Sequence, residues 1–250
     1  METRTCSCGE SETRTVAATG HTFGDWTVTT APTCTEKGVE TRTCACSESE
    51  TREVDALGHE WEGIHCTRCD AIRNPFTDVD EVIHKSFYDA ILWAVDEGIT
   101  TGATETTFNP GGELQRAQFV TFLWRAAGKP EPTSTKNPFT DVNENDFFYK
   151  AVLWAVEEEI TTGTDTDKFS PFGVTNRAQA VTFLWRYLEK PAANGTNDFN
   201  DVEAGLWYEA PINWAVGAGV TNGMGDGTFG INNPCNRAQA VTFMFRAIAT

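Results

Sequence analysis

The sequence has 250 residues and a formal net charge of −17, with 40% hydrophobic and 22% charged residues. That balance suits a folded chain rather than a disordered one, and no apolar run approaches the roughly 18–20 residues an α-helix needs to cross a bilayer. So acidic a chain is repelled at long range by nucleic acid and by anionic membrane surfaces, so any anionic ligand must be held by local, well-aimed cations.

The N-terminus, METRTCSCGE, has neither a basic n-region nor an apolar h-region, and so carries no recognisable secretion signal. Residues 1–70 read as a Cys-rich β module. TRTCSCGESETRTVAATGH at 3–21 recurs as TRTCACSESETREVDALGH at 41–59, a step of 38. Thr-rich alternation in DWTVTT and VETRTC predicts short strands. The first copy lacks the segment that precedes Thr41 in the second. The expectation from this is a C-terminal piece of a longer secreted protein, or a start placed too late.

Seven of the eight cysteines lie in this module: Cys6, Cys8, Cys34, Cys44, Cys46, Cys66 and Cys69. Cys34, Cys44, Cys46 and His59 offer three thiolates and one imidazole, a structural zinc set. Cys6, Cys8 and His21 repeat its second half, and Cys66-x-x-Cys69 is a further metal-like pair. A disulfide from Cys34 to Cys44 or Cys46 suits an extracellular protein equally well. Either device staples a small module that lacks a core, as a spacer or stalk. Beyond such a structural zinc, no cofactor is required.

A boundary falls near 70–75, and three copies of a different unit follow, over 75–130, 138–190 and 198–250. F-x-D-V opens each one, as Phe76-Asp78-Val79, Phe139-Asp141-Val142 and Phe199-Asp201-Val202. Tyr88, Tyr149 and Tyr208 come next, then Trp93, Trp154 and Trp214, then Gly102, Gly163 and Gly223. Phe108, Phe169 and Phe229 precede RAQFVTFLWR, RAQAVTFLWR and RAQAVTFMFR, headed by Arg116, Arg177 and Arg237. Phe87, Ile91, Ala94 and Val95 recur at helical spacing, with Gly98 as a left-handed C-cap. Gly219 fits the same role, whereas Glu159 in the middle copy costs about 1 kcal/mol if that conformation is kept. The second helix begins at each RAQ, with Asn176 and Asn236 as N-caps and Gln115 as a poorer one. GKPEPTSTKNP (128–138) and EKPAANGTND (189–198) read as linkers. One helix pair of this size cannot bury its apolar face alone. The predicted fold is therefore mainly α: a pseudo-threefold spindle of three helix-loop-helix repeats, long helices central and shorter ones outside.

The order F-x-D-V, Y-x-x-A-[IV]-x-W, G-[IV]-T-x-G, F-x-P, x-R-A-Q resembles that of S-layer homology domains, and covers the chain from Phe76 onward. The N-terminal units resemble Cys-containing repeats of exported proteins of Gram-positive anaerobes. The first resemblance implies a three-pronged spindle that attaches bacterial exoproteins to secondary cell-wall polysaccharide, or another peptidoglycan-linked glycan, often bearing ketal-linked pyruvate, in grooves between the prongs. It implies an extracellular place at the cell wall or S-layer. The sequence departs from the family in three places: its T-R-A-E is here QRAQ or NRAQ, F-x-P becomes Phe229-Gly230-Ile231 in the third copy, and Cys235 precedes the third motif.

On this reading Arg116, Arg177 and Arg237 pair with carboxylates of the glycan. The planar guanidinium fork matches a carboxylate, and a helix N-terminus adds N–H donors. The competing reading has each Arg tie its helix start to Asp78, Asp141 or Asp201. Trp93, Trp154 and Trp214 either stack on sugar or pack in the core. Gly102, Gly163 and Gly223 either relax the backbone or admit a ligand closely. No G-x-S-x-G, H-E-x-x-H or P-loop occurs, and the histidines, 21, 59, 65 and 84, stand outside the repeated landmarks. The expected protein is a non-catalytic, monomeric wall anchor, neither nucleic-acid-binding nor membrane-inserted. The alternative is a metal-binding or protein-interaction module for which the helical repeats are only a scaffold.

Overall fold

The structure, a computed structural model, describes residues 1–15, 20–193 and 195–249. Residues 16–19 of the first Cys repeat, Asn194 of the second linker and Thr250 of the third unit lie outside them. The chain divides into two compact units, Met1–Ile72 and Arg73–Thr250.

The first unit consists of short antiparallel strands. β1 (Glu2–Thr5) pairs with β2 (Ser11–Arg14), Glu2 opposite Arg14. β3 (Thr27–Thr30), β4 (Gly38–Thr43) and β5 (Ser49–Val54) form a meander in that order. β6 (Trp61–Glu62) and β7 (His65–Cys66) make a final small hairpin. The sheet surface is held by cation–π contacts: Arg42 and Arg52 both lie over the Trp26 ring, while their heads pair with Glu50 and Glu40. Apolar burial is scant. Cys34, Cys44, Ile64 and Cys66 are the buried apolar residues among those described here.

The second unit carries its core on six α-helices among the described residues. α1 (Tyr88–Asp96), α3 (Tyr149–Glu157) and α5 (Glu209–Gly217) are short. α2 (Arg116–Ala126), α4 (Arg177–Tyr187) and α6 (Arg237–Ile248) are longer. α2 packs on α4 and α4 on α6, with Val120, Val181 and Val241 fully buried. Phe119 stands where the sister helices have Ala180 and Ala240, and it stacks against Phe183 at 6.1 Å between centroids.

Each short helix packs chiefly on the long helix of another repeat. α3 lies on α2, α5 on α4, and α1 on α6. The three repeats therefore close as a ring, the last completing the first. Backbone hydrogen bonds close the same ring just before the long helices. Leu114 N–H donates to Cys235 O (3.1 Å), Cys235 N–H to Thr175 O (2.8 Å) and Thr175 N–H to Leu114 O (2.8 Å).

Local details follow the sequence. Gly98, Gly219 and Glu159 all have positive φ, and Glu159 is held there with Lys190 3.0 Å from its carboxylate. Asn176 and Asn236 cap their helices through Gln179 N–H and Gln239 N–H. The amide that replaces the family's acid serves as a capping-box acceptor: Gln118, Gln179 and Gln239 Oε1 each accept from the N–H three residues back.

Candidate functional site

The F-x-D-V aspartates and the RAQ arginines act on one loop from opposite sides. Asp78 accepts from Phe108 N–H and Asn109 N–H, at 2.8 and 2.7 Å. Asp141 accepts from Phe169 and Ser170, both at 2.9 Å. Asp201 accepts from Phe229 and Gly230, and also from Ile231 at 3.1 Å. Proline would have no N–H at that last position, so the third repeat absorbs its lost F-x-P without an orphaned donor. The carbonyl of the same Phe takes Nε–H from an Arg of the preceding repeat: Arg116 to Phe169 (3.0 Å), Arg177 to Phe229 (2.9 Å), and Arg237 round the ring to Phe108 (2.8 Å). Those three phenylalanines are fully buried, which anchors each loop by roughly 2–3 kcal/mol.

The arginines are themselves buried, at 4%, 3% and 6% exposure. Each guanidinium lies over two phenylalanine rings: Arg116 over Phe169 and Phe183, Arg177 over Phe229 and Phe243, Arg237 over Phe108 and Phe122. Desolvation lowers all three, Arg116 to about 10, which leaves Arg116 cationic at neutral pH. None forms an ion pair with Asp78, Asp141 or Asp201. The expected tie to the aspartate runs through the shared Phe peptide instead.

The N-terminal N–H donors are not open to a ligand. Arg116 N–H goes to Gly173 O and Ala117 N–H to Pro171 O; Arg177 and Ala178 use Asn233 and Ile231, and Arg237 and Ala238 use Gly112 and Pro110. Ring closure consumes the donors that sequence reasoning had assigned to a carboxylate. What remains is side-chain chemistry, and here the repeats differ. Arg177 Nη2 donates to Thr221 Oγ1 (3.3 Å) and Arg237 Nη2 to Thr100 Oγ1 (3.5 Å). Arg116 Nη2 is buried with no partner.

Arg116 lines a groove of about 390 Å³ built from all three repeats. Arg116 comes from the first, Gly163, Thr164, Gln179 and Arg186 from the second, and Trp207 from the third. Trp207 is 53% exposed. Arg186 donates Nη1–H to Ile160 O at 3.1 Å, which fixes its head. The groove thus offers two guanidinium groups, threonine hydroxyls, an amide and an exposed indole. The related groove along α6 holds Phe87, Gln239, Thr242 and Arg246, with about 500 Å³.

The repeated tryptophans do not line that groove, and the core-packing alternative describes two of them. Trp154 and Trp214 are 5% and 6% exposed, with no ring face left for sugar. Trp93 packs on Phe245 and lines a separate hollow with Tyr187 and Ile248. All three sit in short helices, and Trp154 packs on Tyr187 of its own repeat's long helix. Trp207, next to the repeated Tyr, aligns with Phe87 and Phe148, so an aromatic recurs at that position in all three repeats. Arg125, Arg186 and Arg246, nine residues beyond each RAQ arginine, do recur, and their sequence pattern was overlooked. Gly102, Gly163 and Gly223 have φ of +98, +91 and +78, and a Cβ on any of them would lie 2.5–2.6 Å from Phe76, Phe139 or Phe199. Their backbone role is explicit; Gly163 also lines the groove.

In the first unit the proposed metal set Cys34, Cys44, Cys46, His59 does not come together. Cys34 and His59 lie near the end of the sheet where Gly38 faces Val54. Cys44 and Cys46 follow the far end, where Thr43 faces Ser49. Six residues of strand, roughly 20 Å, separate the two ends. Cys44 and Cys46 are joined to each other, as are Cys6 and Cys8, so neither bonds Cys34. His21 Nδ1 lies 3.0 Å from Cys46 Sγ. Cys34 and His59 instead meet Cys66 and Cys69, all four donor atoms lying within 4.8 Å of one another.

Residues 75–120, 138–181 and 198–241 match the model of the S-layer homology domain, together more than half of the chain. A cell surface protein of Thermoanaerobacter kivui is 34% identical over 116 residues, 44% of this chain and 15% of its own length. An endoglucanase of Bacillus sp. (strain KSM-635) is 30% identical over 122 residues, 49% of this chain and 13% of its own length. A cellulosome-anchoring protein of Acetivibrio thermocellus is 26% identical over 149 residues, 56% of this chain and 33% of its own length. The chain therefore spans a third or less of each of these relatives. No helix among the described residues is long and apolar enough to cross a membrane.

Proposed function

The chain belongs to the S-layer homology domain family, and on that premise we propose that its helical array is a non-catalytic anchor. It holds a protein at the bacterial cell surface by binding an anionic cell-wall glycan. The relatives support attachment over chemistry. A cell surface protein, an endoglucanase and an anchoring protein share similarity to this chain over a minor part of their length. An attachment module accounts for that sharing better than a common reaction does.

The observation that carries the reading is the unpartnered, buried Nη2 of Arg116, a residue that lines one groove with Arg186 and Trp207. An unmatched buried guanidinium donor costs about 1–3 kcal/mol, and a sugar carboxylate accepting from it recovers that cost through a charge-assisted bond. Arg186 adds a second positive charge, and Trp207 gives an apolar sugar face a ring to pack on. In this proposal Arg116 is the principal contact. Arg177 and Arg237 chiefly hold the frame, their Nη2 groups occupied by threonines. A ketal-linked pyruvate supplies a carboxylate of the right kind, and the site of action is the extracellular face of the wall.

The test is co-sedimentation of the full chain with Gram-positive wall sacculi, intact or chemically stripped of secondary polysaccharide. Binding to intact sacculi alone supports the reading. A folded chain that ignores both, across walls of several species, refutes it.

A further inference from the structure

We propose that Cys34, His59, Cys66 and Cys69 bind one structural Zn²⁺ ion, which replaces a hydrophobic core in the N-terminal unit. The donor set is three thiolates and one imidazole, a usual closed tetrahedral zinc shell. Around such an ion, bonds of about 2.3 Å to sulfur and 2.0 Å to nitrogen put the donors about 3.5–3.8 Å apart. Cys34 Sγ stands 3.8 Å from Cys66 Sγ, and Cys69 Sγ 3.4 Å from His59 Nδ1. The sulfur pair is too far apart for a disulfide, whose sulfurs are about 2.05 Å apart.

The surroundings orient the donors. Arg68 N–H points at Cys66 Sγ at 3.4 Å, within the Cys66-Thr67-Arg68-Cys69 turn. The β6–β7 hairpin carries Cys66, and the Cys66 N–H to Ala71 O bond closes the turn beyond it. His59 stacks on Trp61 at 4.8 Å, which fixes the ring plane. Leu57 N–H donates to Thr33 O and so brings the His59 segment against Cys34. Three separate segments therefore converge on one point, and that point holds two of the few buried apolar residues of the unit, Cys34 and Cys66. The Cys6–Cys8 and Cys44–Cys46 links each span a single residue. They close almost no chain and cannot tie these segments together. A metal can.

The full chain, grown with zinc and purified without chelator, is examined by native mass spectrometry and elemental analysis. One zinc per chain is expected. It is lost in Cys66→Ser/Cys69→Ser and kept in Cys44→Ser/Cys46→Ser. In case the first variant fails to fold, the wild type is alkylated before and after chelation: Cys34, Cys66 and Cys69 are expected to be protected until the metal is removed. Zinc lost with Cys44 and Cys46 but kept without Cys66 and Cys69 overturns the assignment. So does a protein that stays metal-free with these thiols joined in a disulfide, or one whose reduced thiols alkylate freely in the presence of zinc.

Discussion

Arg116 and Asp141, from neighbouring repeats, hold opposite ends of one residue: Arg116 Nε–H donates to the Phe169 carbonyl at 3.0 Å, and Asp141 accepts the Phe169 N–H at 2.9 Å. The pairs Arg177–Asp201 and Arg237–Asp78 do the same to Phe229 and Phe108. The two repeated landmarks, far apart in sequence, are one device, and it operates between repeats.

The first consequence concerns stability. Arg177→Ala leaves the Phe229 carbonyl unpaired and removes the bond to Thr221. The expected loss is about 2 kcal/mol, a fall of roughly 4–8 °C in melting temperature for an array of this size. Thermal unfolding by circular dichroism measures it.

Acid should loosen the same clamps. Burial pushes the Asp141 carboxyl up, but the N–H groups of Phe169 and Ser170 outweigh it and hold it below its usual range; Asp201 behaves likewise through Phe229, Ile231 and Gly230. A depressed folded value means stability that is present above the unfolded carboxyl value of about 3.9 and is lost as pH falls through the folded one. Denaturant titration from pH 7 to pH 2 is expected to show that loss below about pH 4. Asp141→Asn should be less stable at neutral pH and show a shallower acid slope.

Ring closure predicts that the repeats do not fold singly. Removing residues 198–250 takes α6 from α1 and Arg237 from Phe108. The remaining repeats are expected to lose protection in α1 as well as at the cut end. Hydrogen exchange on the truncated chain checks this, and native-like protection of α1 would contradict it.

Gly163→Ala forces a Cβ to within 2.6 Å of Phe139 and 2.5 Å of the Lys168 carbonyl at a φ of +91. A cost of about 2 kcal/mol or more is expected, read from a denaturant midpoint.

The sequence showed the helical array well, because its landmarks are set by local chemistry repeated three times. Positive φ at Gly98 and Gly219, the Asn caps and the buried valines all follow from short-range pattern. It did not show which helix packs on which, since a repeat pattern looks the same whether each pair closes on itself or on its neighbour. The same blindness hid the fate of the helix N-terminal donors, which carbonyls of the next repeat occupy. Trp207 was missed because the indole itself does not recur, although Phe87 and Phe148 keep an aromatic at the same place in the other repeats. In the N-terminal unit the error lay in grouping cysteines by their place in the 38-residue repeat. Strand β4 carries Cys44 away from Cys34, while a hairpin outside the repeat brings Cys66 and Cys69 to it.

The central claim is that Arg116, rather than its two sister arginines, meets the glycan. It is tested most directly by calorimetric titration of purified wall polysaccharide into the wild type, Arg116→Lys and Arg177→Lys, each shown to be folded by its melting transition. Lysine keeps the charge but loses the fork. Arg116→Lys is expected to weaken binding by tenfold or more, about 1.4 kcal/mol, while Arg177→Lys loses stability and binds within about twofold of wild type. Equal affinity in wild type and Arg116→Lys would contradict the account.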